Sequence, residues 1–377
     1  MPYFYFGISL LLLGFLIYQI KYGSPNGFMR PLPANMLGIL LAAIIFKLVV
    51  AVGLLVEDAW RLISRSIHFL FSKEEVPHLP SRRAFISKIA LGVAAIPFTS
   101  LLYGMYKGKY NFRIHNQTLF FKTLPQEFDG FTILQISDLH VGSFTNYERV
   151  EEAVKLIQAQ HKDIIVFTGD LVNNRADEMQ PWKTLFTTLK APEGVYSILG
   201  NHDYGDYIQW PSTTAKTKNL EALKTIHSEM GWDLLCNTSR TLTRGNAVLE
   251  IVGVENWGKG SFKKAGDLNQ ALKHTSQEGF KILLSHDPSH WDLQVKTHST
   301  NIPLTLSGHT HGMQFGIEIP GIVKWSPVKY RYPQWAGLYT FQDKHLYVNR
   351  GLGYIGYSGR VGIWPEITSI TLKKASN

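Results

Sequence analysis

Five apolar runs between residues 131 and 306 each stop at a polar block rich in Gly, Asp, Asn and His. Phe131–Ile136, Asp163–Thr168 and Phe280–Leu284 are β-branched and bounded by turn residues, the pattern of buried strands. Val195–Leu199 and Pro303–Leu306 fit it less cleanly. Asn146 is placed to cap a helix over Tyr147–Gln160, in which Val150, Val154 and Ile157 recur at helical spacing. A second helix is predicted over Leu220–Met230, followed by Trp232–Leu235. Past Gly312 the chain is strand-rich, with Gly337–Phe341, His345–Val348 and Ile367–Leu372 as the expected strands. The alternation predicts an α/β domain whose polar blocks lie at the carboxyl ends of strands, where open α/β sheets gather their ligands.

The N-terminal third follows a different pattern. Pro2–Ile20, Met36–Val56 and Ile89–Tyr106 are apolar stretches, interrupted only by Lys47 in the second. A spanning helix needs about 20 mostly apolar residues, so each qualifies on length. The expected organisation is a membrane anchor of about three transmembrane helices over 1–106, a connecting segment 107–130, and a catalytic domain 131–377. Lys47 either faces a helix partner or marks a shorter span.

Charge changes the picture only in this anchor. The chain carries a formal net charge of +9, but residues 1–110 hold 11 Lys/Arg against 4 Asp/Glu, whereas 111–377 hold 27 against 25. The excess therefore reads as membrane topology, and nucleic acid is not expected as a partner. Arg61, Arg65, Lys73, Arg82, Arg83 and Lys88 outnumber Lys21, Arg30, Lys107, Lys109 and Arg113 on the opposite flanks. This bias puts Glu57–Lys88 in the cytoplasm and the catalytic domain on the extracytoplasmic side of a bacterial cell membrane. Ser81–Lys88 resembles a twin-arginine export motif, although it stands unusually far from the N-terminus; a plain basic flank is the other reading. The single cysteine, Cys236, excludes an intrachain disulfide and a cysteine metal cluster.

The polar blocks are Asp138-Leu139-His140, Gly169-Asp170, Gly200-Asn201-His202-Asp203, Ser285-His286 and Gly308-His309-Thr310-His311-Gly312. Oxygen and imidazole donors in this mixture suit Mn, Fe or Zn better than an all-oxygen Mg site. A pair of such cations can activate water and clamp a transferring phosphoryl group. His286 is preferred to His290 because it directly ends a strand, while His290 falls after Pro288. His68, His115, His227 and His345 have no partner pattern.

In order and spacing the blocks resemble the calcineurin-like metallophosphoesterase superfamily, over roughly Phe131 to Gly312. The resemblance implies two packed mixed β-sheets flanked by helices, with two divalent metal ions at the sheet ends. It implies that Asp138, His140, Asp170 and His311 hold the first ion, and that Asp170 bridges to a second held by Asn201, His286 and His309. His202 would be the non-ligand histidine that stabilises or protonates the leaving oxygen, with Asp203 orienting it. The ending Asn349–Gly353, Arg360 and Pro365–Ile367 resembles membrane-anchored bacterial phosphodiesterases, some of which cleave the pyrophosphate of UDP-diacylglucosamine. There Arg350 and Arg360 are either a substrate-phosphate clamp or surface arginines. Trp325, Tyr330, Tyr332 and Trp335 either rest at a bilayer interface or form a self-packed loop.

The expected function is a membrane-anchored, metal-dependent hydrolase of phosphodiester or pyrophosphate bonds, acting on a lipid-linked substrate through a metal-bridging hydroxide. Its partners would be that substrate and membrane lipids. The alternatives are a non-catalytic membrane receptor or scaffold, and a protein phosphatase or nuclease of the same superfamily.

Overall fold

A computed structural model describes residues 31–71 and 80–375, with isolated helical positions between 7 and 18. Helices α1 (Pro31–Phe71) and α2 (Pro80–Tyr106) come first. Asn35–Phe71 and Arg83–Tyr106 are long and apolar enough to cross a membrane. Leu48, Leu55, Ile63, Val93 and Ile96 are exposed on them. Helices apolar on every side yet unburied by protein fit a bilayer rather than a core. The two pack through Phe46 against Phe98, with ring centroids 5.6 Å apart, and through the small pair Gly53 and Ala90.

The expected span Pro2–Ile20 lies largely outside the described residues. Lys47 donates to Ser9 Oγ at 2.6 Å, so its charge meets a polar partner on that first stretch. At 41 residues, α1 is about 62 Å long, at about 1.5 Å per residue. That is about twice a hydrocarbon core, so α1 runs on past a single crossing. Much of the expected cytoplasmic segment Glu57–Lys88 is accordingly helix rather than loop.

The catalytic region is built on two six-stranded sheets. The first has the order β1 (Arg113–Phe121), β14 (Glu366–Lys374), β2 (Thr132–Ile136), β3 (Ile164–Phe167), β4 (Val195–Ser197) and β5 (Asp233–Leu234). The second runs β12 (Gly337–Phe341), β13 (Lys344–Val348), β9 (Leu304–Ser307), β8 (Phe280–Leu284), β7 (Ala247–Gly253) and β6 (Thr238–Arg244). Strands β2 to β5 are parallel, as are β7, β8, β9 and β13. The facing surfaces interleave Ile133, Val166, Ile198 and Ile370 with Ile251, Ile282, Leu306 and Tyr347 in one fully buried layer. Helices α3 (Tyr147–Gln158) and α4 (Thr213–Glu229) cover the outer face of the first sheet through Val150, Val154, Ile157 and Leu223. Asn146 caps α3 by accepting from the Arg149 amide. A small hairpin, β10 (Ile317–Ile319) with β11 (Val323–Trp325), stands outside both sheets.

The segment 107–130 is not a free connection. It contains β1, which pairs in parallel with β14 along nine residues. Only Lys107–Phe112 separates α2 from the sheet, and that stretch is packed too. A Cβ on Gly108 would lie 2.1 Å from the Arg360 carbonyl, and one on Gly104 2.7 Å from it. These two glycines let the end of α2 lie directly on the catalytic domain, where Tyr357 also donates to the Leu101 carbonyl.

Candidate metal centre

Every ligand candidate sits where a parallel strand ends and the backbone must turn at once. Asp138, His140, Asp170, His309 and His311 all have positive φ, between 47° and 73°. For residues with a Cβ this left-handed geometry costs about 1–2 kcal/mol each, and such strain concentrates at functional sites. Gly308 allows the close approach: a Cβ there would meet Ser137 Oγ at 2.0 Å and Asp138 Oδ2 at 2.3 Å.

The side chains form two groups, Asp138, His140 and His311, then Asp170, His286 and His309, with donor atoms within 4.8 Å of one another in each. In the first, His140 Nε2 lies 3.0 Å from His311 Nε2, and His311 Nε2 lies 3.2 Å from Asp138 Oδ1. In the second, Asn201 Oδ1 lies 3.1 Å from His286 Nε2 and 2.8 Å from His309 Nδ1. Asp170 Oδ2 stands between the groups, 3.4 Å from His140 Nε2 and 3.2 Å from His286 Nε2. Ligand atoms at about 2.1 Å from a common ion are separated by roughly 3.0 Å in an octahedron and 3.4 Å in a tetrahedron. The observed spacings therefore fit two cation sites sharing Asp170.

Electrostatics agree with that fit. Asp138, His140 and His286 are wholly buried. Burial opposes ionisation of Asp170, but the neighbouring histidines hold its pKa well below the usual carboxylate range. Burial likewise opposes charge on His286, yet Asp170 pushes its pKa up to about 10. Burial lowers the pKa of His140 and of His309, which favours the neutral imidazole that a metal ligand must be.

Surrounding groups fix which histidine nitrogen faces inward. His286 Nδ1 donates to the Thr168 carbonyl at 2.7 Å. His309 Nε2 meets Tyr332 Oη at 2.8 Å and Asp287 Oδ2 at 3.4 Å. Asn201 Nδ2 donates to Tyr207 Oη at 2.7 Å, which turns its oxygen toward His286 and His309. His290, four residues past His286, is occupied instead with Ser285 and Gln294.

His202 stands beside the centre rather than in either group, 4.9 Å from the His140 ring, centroid to centroid. Its Nδ1 donates to the Asn173 carbonyl at 2.8 Å. Asp203 therefore does not orient His202 in the expected way. Its Oδ2 accepts the amides of Gly200 and Asp170, and its Oδ1 those of Leu171 and Val172. Those bonds commit the carboxylate to joining two ligand loops, and the Asn173 carbonyl does the orienting.

Arg350 and Arg360 are neither a substrate clamp nor surface residues. Arg350 is buried and ion-paired with Glu318 and Glu366. Arg360 is fully buried, donating to the Gly353 and Arg350 carbonyls, with Nη2 3.1 Å from His311 Nδ1. The aromatic loop resolves as self-packed for Tyr332 and Trp335, which are buried with Ala336 and Ile363. Arg331, on the same loop, is an exposed cation 5.7 Å from the ring centroids of both Tyr332 and Phe262. Phe262 itself lies 5.0 Å from His309.

Residues 131–313 match the calcineurin-like phosphoesterase family, and residues 1–109 match the transmembrane domain of a probable calcineurin-like phosphoesterase family. The uncharacterized metallophosphoesterase YkuE of Bacillus subtilis is 31% identical over 303 residues, covering 78% of this chain and 99% of its own length. The chain belongs to the calcineurin-like phosphoesterases. A transmembrane protein with metallophosphoesterase domain from Danio rerio shares 26% identity with this phosphoesterase over 84% of the chain and 68% of its own length. Among solved structures, the NAD nucleotidase of Haemophilus influenzae aligns over 60% of the phosphoesterase and 45% of its own chain, with 15% identity and a TM-score of 0.38.

Proposed function

We propose that this phosphoesterase is a membrane-anchored hydrolase of phosphodiester or pyrophosphate bonds, that it uses two divalent cations, and that its substrate is lipid-linked. When bound, the cations supply charge compensation for phosphoryl oxygens and acidify water. Asp138, His140 and His311 would hold one, Asn201, His286 and His309 the other, with Asp170 shared. His202 performs the proton chemistry. With Nδ1–H committed to Asn173, its second proton can reside only at Nε2, on the far edge of the ring. Burial lowers its pKa, against the raising effect of Asp170, so the doubly protonated ring is the minority form at neutral pH and a strong acid toward the leaving oxygen when it forms. Arg331, held over Phe262 and Tyr332, is the cation we assign to the substrate phosphate.

The lipid reading rests on how near the centre is held to the bilayer. Six residues separate an apolar helix from the sheet, and the helix end is docked by Gly104 and Gly108. On the chain just past His311, Met313, Ile317, Ile319 and Ile322 expose apolar side chains on and around the β10–β11 hairpin. By the distribution of basic residues we place the catalytic region on the extracytoplasmic side. The test compares kcat/KM for a lipid phosphodiester in vesicles with that for a soluble analogue of the same headgroup. The double variant Ile319→Ser/Ile322→Ser should lose activity on vesicles alone. Equal behaviour of wild type and variant on both substrates would remove the lipid assignment and leave the hydrolase.

A further inference from the structure

A cleft of about 820 Å³ lies where the anchor meets the catalytic domain, and no candidate metal ligand lines it. Asn35 and Ile39 of α1, Tyr103 and Tyr106 of α2, and Asn146 and Arg149 at the start of α3 form its walls. It also carries Lys107 and Lys109. Lys107 and Arg149 are exposed, and Arg149 pairs with the equally exposed Glu152.

Lys109 is the informative residue. It is only 6% exposed. Its ammonium donates to Ser358 Oγ at 3.2 Å and stands 4.7 Å and 5.4 Å from the Tyr354 and Tyr110 ring centroids. Among the described residues no carboxylate pairs with it. Removing an ammonium from water without a counter-ion costs several kcal/mol, and a hydroxyl with two ring faces offsets only part of that. Burial lowers its pKa to about 8, which leaves most of it charged at neutral pH. An anion in the cleft would supply the counter-charge.

The surroundings narrow the class of anion. The cleft opens at the end of the apolar helix α2, the level at which headgroups lie, and tyrosines favour that level. Ile39, Leu102 and Met105 line it together with the cations, so it offers both charge and an apolar wall. We propose that this cleft binds the phosphate of an anionic membrane phospholipid, with Lys109 as its buried cation and Lys107 and Arg149 at its mouth. The site would make docking of anchor on catalytic domain depend on lipid charge, separately from any substrate at the metal centre.

The test uses full-length protein in nanodiscs of phosphatidylcholine, with and without phosphatidylglycerol. For lipid at roughly tenfold excess over Kd, Tm should rise by about 3–6 °C with phosphatidylglycerol. Lys109→Met should abolish the rise, while its Tm in phosphatidylcholine stays at or above that of wild type, because an unpaired buried charge is gone. Lys109→Arg should retain the response. Hydrolysis of bis(p-nitrophenyl) phosphate with Mn serves as a check that each variant is folded. An undiminished response in Lys109→Met, or none in wild type, overturns the site. An equal rise with glycerol phosphate in phosphatidylcholine discs overturns the lipid source in favour of a soluble phosphate.

Discussion

Asp203→Asn separates two roles for a residue that sequence reasoning assigned to His202. The carboxylate is fully buried and accepts four backbone amides at 2.8–3.2 Å, two on each oxygen. Burial and Asp170 push its pKa upward, but four donors leave no lone pair for a proton, so it acts as an anion. An amide in its place keeps one acceptor and turns an NH₂ group against two N–H donors. Each buried donor left without a partner costs about 1–3 kcal/mol, so the substitution should cost about 2–6 kcal/mol. For a catalytic region of this size that is a Tm loss of about 5–20 °C. The amides involved belong to Asp170 and to Gly200, which precedes Asn201, so metal occupancy should fall with stability. Thermal denaturation and metal analysis of the purified variant are the assays. A variant with wild-type Tm and metal content but a lower kcat would refute this reasoning and return Asp203 to orienting the histidine.

Four other outcomes are expected. His202→Ala should keep its metal content while kcat falls by about 10²–10⁴, the range for a positioned acid; a metal-free variant would show that His202 is a ligand. Arg331→Ala should raise KM for phosphodiesters with little change in metal content or Tm, and an unchanged KM would remove it from the substrate site. In Glu366, burial is overcome by Arg350 and by hydrogen bonds from Thr368 and Tyr347, which hold the pKa at about 2 against an ordinary 4.5. That depression corresponds to about 3 kcal/mol. It is fully present above pH 4.5 and lost as pH falls toward 2, so the Tm gap between wild type and Glu366→Gln should close over that window. Reporter fusions after Val76 and after Asn377 should give opposite compartment signals, and matching signals would sink the topology.

Most of the strands legible in the sequence are buried on both faces: Phe280–Leu284 has the expected limits, and β2, β3 and β9 differ by one or two residues. The edge strand Gly337–Phe341 also has its expected limits although it is largely exposed, because turn residues bound it. Strand β1 escaped because it is a sheet edge whose exposure alternates around polar Asn116, Gln117 and Thr118. The β6–β7 hairpin escaped because β6 is mostly polar and half-exposed. At the centre, ligands were legible because side-chain identity carries the chemistry. The group orienting His202 was not, since it is a backbone carbonyl and any residue at 173 supplies one. The surroundings of Arg350 were hidden for another reason. Its partners lie 32 and 16 residues away along the chain, in β10 and β14, and only the fold brings them together.

Arg360 joins these parts more closely than a clamp would. Its amide donates to the Gly104 carbonyl, near the end of the anchor helix, and its carbonyl faces Gly104 and Gly108 at distances only glycine permits. Its guanidinium reaches inward to the carbonyls of Arg350 and Gly353 and stops beside His311. A shift of the helix end is therefore applied to a residue in contact with a candidate metal ligand, with no flexible segment between them. Burying so large a cation is costly, and surface anchoring would not require it. A rigid coupling between anchor and centre does require a long side chain fixed at both ends. On this view the anchor sets the position of the centre and contributes to its shape, which is why removal of residues 1–106 is not a neutral truncation.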